Sequence, residues 1–544
     1  MSETVAELTG RLLADLGVGH AFGVVGSGNF ALVNALRAHG VPFTAARHEG
    51  GAASMADGFG RLSALPAVLT THQGCGLTNA VTGIAEAAKS RTPLLVLTAD
   101  TAASAVRSNF RIDQDALAAS VGAVPERVHA ASSVVADLLR AYRTAVHGRR
   151  TVVVSLPLDV QGQTVTAARW TAPVPPEPVR PGSAAVEAFA ALLAAAERPV
   201  FVAGRGARGA GPVISALAAR TGALLATSAV ANGLFAGEEF DLGISGGFSS
   251  PLAAELIGGA DLVVGWGCAL NMWTMRHGAL IGPDATVVQV DDDAAALGAH
   301  RPADLGVHGD CAATATDVLD ALGAGTATGL RRPDVAERLT RRRWWNQTPT
   351  PDLSGSGRID PRVLSSELDR ILPAERVVAV DSGNFMGYPS AYLRVPDENG
   401  FCFTQAFQSI GLGLSSGIGA ALARPGRLGV VATGDGGFLM SVSELETAVR
   451  LGRPLLVVVY NDAAYGAEIH HFGPEADLSA VTFPDSDLAA LARGYGARGV
   501  TVRTVADLAE VAAWSAAPEG VLVADAKIAD DGGSWWLAEA FRGH

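Results

Sequence analysis

Cysteine is scarce in this 544-residue chain, and the four that occur, Cys75, Cys268, Cys311 and Cys402, are far apart. None forms a CxxC pair, which argues against a disulfide framework or a structural metal and leads us to expect a reduced, cytoplasmic protein. No apolar run reaches about 18 residues, the length that a membrane-spanning helix needs. The first residues lack the basic stretch of a signal peptide, so we expect none.

Lysine is almost absent, occurring only at Lys89 and Lys527, so the basic residues are nearly all arginine. The formal charge of −13 and the pI near 5.4 argue against nucleic acid or an anionic membrane as a partner. One short basic stretch, residues 341–345, contains two tryptophans. We expect it to belong to an amphipathic linker helix rather than to a nucleic-acid site.

A chain of this length is too long for one hydrophobic core and should contain about three domains. Proline-rich residues 171–181 and the segment 327–358 have the composition of linkers. Elsewhere, short apolar runs alternate with amphipathic stretches, which is typical of an α/β fold with parallel sheets flanked by helices. We therefore expect domains at residues 1–168, 184–326 and 359–544.

The apolar pattern also predicts individual elements. Residues 2–16 carry a stripe of valine and leucine and should form an opening helix. Ser441 and Glu444 have the spacing of a capping box, which predicts the start of another helix. Strands are predicted at residues 21–25, 67–71, 94–98, 151–156, 199–203, 262–266 and 286–290.

Residues 433–462 read as a strand, a glycine-rich turn, a helix and a second strand. Asp435 follows the first strand and Asn461 ends the second, and the ends of parallel strands meet at one edge of a sheet. A carboxylate, an amide oxygen and a loop carbonyl are ligands that suit Mg²⁺. Glycines in the turn let the backbone approach a phosphate closely. These glycines are Gly434, Gly436 and Gly437.

Two further segments accompany this unit. Glu49 opens a helix rich in small residues, and Gln408 and Ile410 stand just before a glycine-rich run. Together with the Gly-Asp-Gly unit, these segments resemble the signatures of thiamine diphosphate enzymes of the acetolactate synthase, benzoylformate decarboxylase and pyruvate decarboxylase group. The resemblance covers essentially the whole chain. It implies pyrimidine-binding, middle and diphosphate-binding domains, in that order.

The resemblance implies thiamine diphosphate and Mg²⁺ as cofactors. Glu49 would hydrogen-bond the aminopyrimidine ring, and a carboxyl in an apolar pocket has a raised pKa that suits this task. Ile410 would hold the two cofactor rings in a V shape, and the carbonyl of Gln408 would meet the pyrimidine edge. The implied metal ligands are Asp435, Asn461 and the carbonyl of Ala463 (with Ala464 as the alternative). The implied cofactor contacts also include Gly434, Gly436, Gly437, Tyr465 and Gly466.

By the same resemblance, the site forms between subunits, with Glu49 from one chain and Asp435 from its neighbour. A homodimer would then be the smallest active unit, and homotetramers are common in the group. No nucleic acid or membrane partner is expected, and the substrate would be a small 2-oxo acid.

Substrate-facing residues follow from matches in three loops. Ser27 and His72 match an active-site serine and histidine of benzoylformate decarboxylase, and Gln73 adjoins His72. The loop before Glu468 is one residue longer here than in several relatives. When this gap is allowed for, Glu468 matches a substrate-facing glutamate of pyruvate decarboxylase. Weaker candidates are Asn271, His277 and His470, and a glycine-containing tail at residues 530–536 that closes over the site.

These matches point to two reactions. Residues 78–84 are more similar to acetolactate synthase, which favours decarboxylation followed by transfer of the acyl carbanion to a carbonyl acceptor. His72 instead favours a decarboxylase that releases an aldehyde. A different class, an NAD- or FAD-dependent oxidoreductase, is suggested by the GxGxxG motif at residues 204–209, although no acidic residue follows about 20 residues later.

Overall fold

A computed structural model describes residues 2–166, 168–325, 327–533, 536 and 537, and contains three six-stranded parallel sheets flanked by helices. The sheets define an N-terminal, a middle and a C-terminal unit along the chain. Strands of the N-terminal unit are β1 Ser2–Thr4, β2 His20–Gly23, β3 Phe43–Ala45, β4 Ala67–Thr71, β5 Leu94–Asp100, β6 Val124–Arg127, β7 Thr151–Pro157 and β8 Thr164–Thr166. Its helices are α1 Val5–Asp15, α2 Phe30–Ala38, α3 Glu49–Leu62, α4 Cys75–Lys89, α5 Gln114–Ser120, α6 Val134–Tyr142 and α7 Leu158–Gln161.

The middle unit follows an irregular proline-rich segment at residues 171–181, as predicted. Its strands are β9 Pro199–Ala203, β10 Leu224–Thr227, β11 Asp241–Ile244, β12 Leu262–Trp266, β13 Thr286–Asp291 and β14 Leu305–His308. Its helices are α8 Ser183–Ala195, α9 Gly211–Thr221, α10 Pro251–Gly258, α11 Met272–Met275 and α12 Cys311–Leu322. The sheet order β11-β10-β9-β12-β13-β14 is the order of a doubly wound nucleotide-binding fold.

The linker helix α13 Pro333–Arg342 connects the middle unit to the C-terminal one. It contains Arg341 and Arg342 but ends before the two tryptophans, so the amphipathic helix expected at the basic stretch is confirmed only in part. Strands of the C-terminal unit are β15 Arg376–Val380, β16 Phe401–Phe403, β17 Leu428–Gly434, β18 Leu455–Asn461, β19 Arg498–Val502 and β20 Val521–Lys527. Its helices are α14 Pro361–Ile371, α15 Gly387–Tyr392, α16 Gly413–Ala423, α17 Asp435–Ser441, α18 Glu444–Leu451, α19 Gly466–Phe472, α20 Leu488–Gly494 and α21 Leu508–Ala516.

The two outer sheets share one topology. Their orders are β3-β2-β4-β5-β7-β6 and β16-β15-β17-β18-β20-β19, so each sheet places its six strands as second, first, third, fourth, sixth, fifth. Helices α3 and α16 occupy the same connection, between the second and third strands, and they pack against each other between the sheets. This arrangement packs the two outer units directly against each other.

Small residues allow α3 and α16 to cross at backbone distance. A methyl group on Gly58 would lie against the carbonyl of Ser416, and one on Gly419 would lie against the carbonyl of Met55. The apolar face of this crossing includes Met55 and Leu414, which are fully buried. Only glycine lets the two helix backbones approach this closely.

Two predicted elements are wrong. Residues 2–4 do not begin the first helix but form β1, which pairs antiparallel with β8, and Thr4 then caps α1 in a box with Glu7. The capping box at Ser441 is also absent, because Ser441 is the last residue of α17 and donates to the carbonyl of Gly437 at 3.1 Å. In the described residues, no helix combines the length and apolarity needed to cross a membrane.

Candidate active site

Asp435 lies where the edge of the C-terminal sheet turns into helix α17. It follows β17 directly and begins the helix, so its carboxylate stands beside the first backbone N–H groups. The side chain is 7% exposed, and within the described chain its Oδ1 has no hydrogen-bond partner. A buried carboxylate oxygen without a partner is costly unless a ligand satisfies it.

Asp462 is the nearest acidic neighbour of Asp435. Burial raises the pKa of Asp435 above its ordinary value. Burial and the negative charge of Asp435 raise the pKa of Asp462 well above its ordinary value. Two buried carboxylates that repel each other favour a cation between or beside them. Asp462 was not assigned a role from the sequence.

Asn461 ends β18, next to β17, as the spacing predicts. Its Nδ2 donates to Asp525 at 2.8 Å, which leaves its Oδ1 to face the backbone N–H of Ala463 at 3.1 Å. Asp525 is itself paired with Lys527 at 3.0 Å, and both side chains are buried. The buried pair therefore orients the amide oxygen of Asn461, in the way that outer partners orient metal ligands.

Ala463 and Gln408 have left-handed backbone conformations, with φ values of 59° and 62°. A residue other than glycine seldom adopts this conformation, which costs of order 1 kcal/mol or more. Both are residues whose carbonyl groups the sequence assigns to the cofactor or its metal. Strain at these two positions is consistent with backbone groups that are aimed at a ligand.

The glycine turn is covered by the segment after Asn461. A methyl group on Gly436 would lie 2.6 Å from the ring of Tyr465, and one on Gly466 would lie 3.3 Å from Asn384. Gly434 faces the ring of Phe385 at a similar distance. The structure thus brings the predicted cofactor residues of this unit into one cluster at the carboxyl edge of the sheet.

Asp381 holds the segment that contains Ile410. It follows β15 and is fully buried, and it accepts hydrogen bonds from the N–H groups of Gly411 at 3.1 Å and Leu412 at 3.2 Å. The bonds from Gly411 and from the Thr433 hydroxyl, the latter at 3.0 Å, go to Oδ2, whereas the bond from Leu412 goes to Oδ1. Burial raises the pKa of Asp381 to about 6. The sequence analysis missed Asp381, although its place after the strand next to β17 was a usable signal.

Glu49 is the first residue of α3 and is half-buried. Its Oε2 accepts a hydrogen bond from Asn79 at 3.0 Å, a second residue that the sequence analysis did not assign. A methyl group on Gly76 would lie 3.4 Å from the Glu49 carboxylate and 3.2 Å from Cβ of His72. Glu49 and His72 therefore border the same glycine at the start of α4.

Ser27 and His72 form a hydrogen-bonded pair. The Ser27 hydroxyl lies 3.3 Å from Nε2 of His72, and Nδ1 of the same ring lies 3.1 Å from the carbonyl of Gln73. The imidazole also packs edge-on against Phe110. Gln73 itself is buried against Gly28, and among the described residues its Oε1 has no partner.

Glu468 and the three weaker candidates lie elsewhere. Glu468 is half-buried in the first turn of α19, and Gly533 of the tail packs on the ring of His470. Asn271 caps α11 through a 3.0 Å bond from the N–H of Thr274, which gives it a structural task. His277 is exposed on the middle unit.

The tail packs on the C-terminal unit. Asp531 accepts a hydrogen bond from the hydroxyl of Tyr388, and the indole of Trp536 donates to the carbonyl of Asn384 at 3.1 Å. Residues 534 and 535 of the predicted tail lie outside the described part of the structure.

The predicted residues fall into two groups. Glu49, Ser27 and His72 cluster on the N-terminal unit, whereas the residues around Asp435 cluster on the C-terminal unit. In the described part of the chain, no hydrogen bond or ion pair joins Glu49, Ser27 or His72 to Asp435, Asn461 or Glu468.

Family models for thiamine pyrophosphate enzymes match the chain in three places. The N-terminal thiamine pyrophosphate-binding domain matches residues 3–119, the central domain residues 186–322 and the C-terminal binding domain residues 381–526. The chain belongs to the thiamine pyrophosphate enzyme family. This finding confirms the resemblance, the three-domain α/β fold and thiamine pyrophosphate (thiamine diphosphate) as the cofactor of this family.

Curated relatives of this family member carry several activities. A probable 2-ketoarginine decarboxylase of Pseudomonas aeruginosa is 32% identical over 530 residues, which cover 93% of this chain and 90% of that protein. A sulfoacetaldehyde acetyltransferase of Rhodobacter capsulatus is 29% identical, covering 94% and 91%. An acetolactate synthase of Bacillus subtilis is 28% identical, covering 96% and 93%. The relatives therefore include both decarboxylases and enzymes that transfer or join acyl groups.

The glycine motif of the middle unit is engaged in packing. The N–H of Gly204 donates to the carbonyl of Trp266 at 2.8 Å, and that of Gly206 donates to Gly267 at 3.1 Å. Arg208, in the same loop, donates to the carbonyl of Arg61 at 2.7 Å and so reaches the N-terminal unit. The loop thus joins units of this enzyme, which weakens the interpretation as a dinucleotide site.

The site residues fit the cofactor and its metal. Glycines give a diphosphate close access to the backbone, and Asp435, with its orphaned oxygen, follows the strand that pairs with the one that Asn461 ends. These are oxygen donors, and the described residues contain no group of three or more His, Cys, Asp or Glu that would hold a metal. The donor chemistry suits Mg²⁺ rather than a softer ion.

Proposed function

We propose that the chain is a thiamine diphosphate- and Mg²⁺-dependent decarboxylase of a small 2-oxo acid, which releases the product as an aldehyde. The observation that carries this proposal is the pairing of Ser27 with His72 beside Glu49. A proton donor near the reacting carbon ends the reaction by protonation, before a second carbonyl compound adds.

In this proposal, Asp435, Asn461 and the carbonyl of Ala463 would hold Mg²⁺. The glycine turn, Tyr465 and Gly466 cradle the diphosphate. When bound, thiamine diphosphate supplies the nucleophilic carbon and the electron sink for decarboxylation. Glu49, Ile410 and the carbonyl of Gln408 orient the pyrimidine.

We further propose that a second subunit completes the site. The separation of the two residue groups within one chain supports this arrangement, with Glu49 of one protomer facing Asp435 of another. The assembly would be a homodimer or homotetramer, and the domain bounds would be residues 1–168, 184–326 and 359–544.

The hydrogen bonds of His72 define its protonation. A carbonyl oxygen only accepts, so Nδ1 carries the proton that bonds to Gln73 in the neutral ring. Nε2 is then the acceptor for the Ser27 hydroxyl. Nε2 takes up a proton from solvent and becomes a donor, which delivers that proton to the product carbon directly or through Ser27, whose hydroxyl gives up its own proton and receives the one from Nε2. Glu468 is proposed to act on the substrate from the C-terminal unit.

Carboligation remains a second candidate function. Residues 78–84 are similar to acetolactate synthase, and relatives named acetolactate synthase and sulfoacetaldehyde acetyltransferase match more than nine-tenths of the chain. In that case, His72 and Ser27 would orient an acceptor carbonyl instead of protonating the product.

The two functions are separated by product analysis. Purified enzyme with thiamine diphosphate and Mg²⁺ is incubated with pyruvate, benzoylformate and a 2-oxo acid that bears a guanidinium group. Free aldehyde in stoichiometric yield with CO₂ supports the decarboxylase, whereas acetolactate or acetoin supports the carboligase. Glu49→Gln should abolish turnover without lowering Tm, because it removes the carboxyl but keeps the shape. Wild-type activity in this variant would refute the assignment.

A further inference from the structure

Two buried glutamates form hydrogen bonds between the N-terminal and C-terminal units. Glu444 of the C-terminal unit accepts hydrogen bonds from the N–H groups of Arg47 at 3.0 Å and His48 at 2.8 Å. Glu86 of the N-terminal unit accepts from the N–H groups of Ala406 at 3.1 Å and Phe407 at 2.6 Å. Each glutamate is 1% exposed, and each binds two consecutive backbone donors of the other unit.

The two interactions are equivalent by topology. Glu86 lies on α4 and Glu444 on α18, and both helices connect the third and fourth strands of their sheets. Their targets are also equivalent, since residues 47–48 and 406–407 both lie between the second strand and the following helix. The same contact is therefore made twice, in opposite directions, across the packing of α3 on α16.

Each pair of backbone donors is followed directly in the sequence by a residue that is proposed to contact the cofactor. Glu49 directly follows His48, and Gln408 directly follows Phe407. Because an N–H bonded to a fixed carboxylate fixes its peptide plane, the direction in which the chain enters the next residue is set as well. The two glutamates thus act on the backbone of the groups proposed to meet the pyrimidine.

We propose that Glu86 and Glu444 are reciprocal positioning residues, which hold the pyrimidine-contacting segments of the opposite unit in the geometry that the cofactor needs. This inference rests on the proposed function of Glu49, Gln408 and Ile410. It assigns a use to two buried acids that lie outside the catalytic groups.

Local partners hold each glutamate in place. Thr447 donates its hydroxyl to Glu444 at 2.7 Å, and Gly51 packs so closely on the carboxylate that a methyl group there would displace it. Arg61 forms an ion pair with Glu86 at 2.6 Å. Because Thr447 and Arg61 belong to the same units as Glu444 and Glu86, each carboxylate is a rigid anchor for a segment of the other unit.

The restraint that each glutamate imposes on the opposite segment is measured by amide hydrogen exchange on the full chain without cofactor. Glu444→Gln keeps the shape but removes the charge, so peptides that span residues 43–52 should exchange faster, while those that span 404–414 should not change. Glu86→Gln should give the opposite pattern. Each variant is the control for the other. Equal exchange of both segments in wild type and both variants would overturn the proposal.

The consequence for the cofactor is measured by titration of the cofactor-free enzyme with thiamine diphosphate at saturating Mg²⁺. Glu444→Gln and Gly51→Ala should raise the half-saturating concentration roughly 10- to 100-fold, the usual effect of losing a residue that orients a ligand. Glu446→Gln is the matched control, because Glu446 lies on the same helix and, among the residues that the structure describes, forms ion pairs with Arg47 and Arg450 alone. It should leave the affinity unchanged.

The outcomes are distinguishable from a failure of the proposed function. If wild type did not bind thiamine diphosphate, the function would fall, whereas the exchange pattern would still report on the restraint. A Glu444→Gln protein with wild-type affinity and an unchanged Tm would overturn the positioning role. A fall in Tm alone, with normal affinity, would make Glu444 a merely structural residue and would also overturn it.

Discussion

The pair formed by His72 and Ser27 gives a prediction with a defined magnitude. His72→Ala removes the acid–base side chain of the pair, and a positioned acid–base group contributes about 10²- to 10⁴-fold to a rate. Ser27→Ala removes one neutral hydrogen bond of 3.3 Å. Such a bond is worth about 1 kcal/mol, which corresponds to about fivefold.

Because the two side chains act through one hydrogen bond, their effects should not multiply. In the double variant, kcat should be no lower than in His72→Ala, since Ser27 has no proton to relay once the imidazole is gone. The assay is steady-state release of CO₂ from the best 2-oxo acid found in the product screen. Thermal unfolding of each variant checks that the fold is intact.

Three results would contradict this reasoning. Full activity of His72→Ala would show that the imidazole is a bystander. Multiplicative losses in the double variant would show that Ser27 and His72 act independently, in spite of their contact. A loss confined to KM, with kcat unchanged, would assign the pair to substrate binding instead of proton transfer.

Two further predictions concern stability. Burial, with the positive charge of Arg453, lowers the pKa of His20 from 6.5 to about 4, so the unfolded chain binds the proton more tightly and stability falls as the pH drops from about 6.5 to 4. The free energy of unfolding should fall by about 3 kcal/mol across this full pH range. His20→Gln, which keeps a hydrogen-bond partner for Thr44, should reduce the difference in unfolding free energy between pH 7.5 and pH 5, as measured by urea unfolding. Ala463→Val should lower Tm, whereas Ala463→Gly should not, because a β-branched residue at a φ of 59° adds strain that glycine avoids; equal Tm values would refute this account.

Continuous apolar runs allowed the central strands to be predicted from the sequence. The strands at residues 67–71, 199–203 and 262–266 begin and end where predicted, because buried parallel strands need apolar residues on both faces. Residues 2–4 were assigned to a helix because their strand partner lies at residues 164–166. A local pattern does not contain a partner so distant in sequence.

The candidate site also contains some features that the sequence predicts and others that it does not. The placement of Asp435 and Asn461 at adjacent strand ends was predictable because their spacing is that of one βαβ unit. Glu444 was misread as part of a capping box, because its true partners are backbone groups of Arg47 and His48, about 400 residues away. Backbone donors leave no mark on side-chain identity, so a contact with them is visible only in the folded chain.

The close crossing at Gly58 and Gly419 limits the relative motion of the two outer units of this enzyme. With the carbonyls of Ser416 and Met55 already against those glycines, α3 and α16 have no clearance to slide past each other. Sliding of the outer units past each other is therefore disfavoured as a route by which substrate enters. We expect that the segment between Asn461 and the end of α19 moves instead.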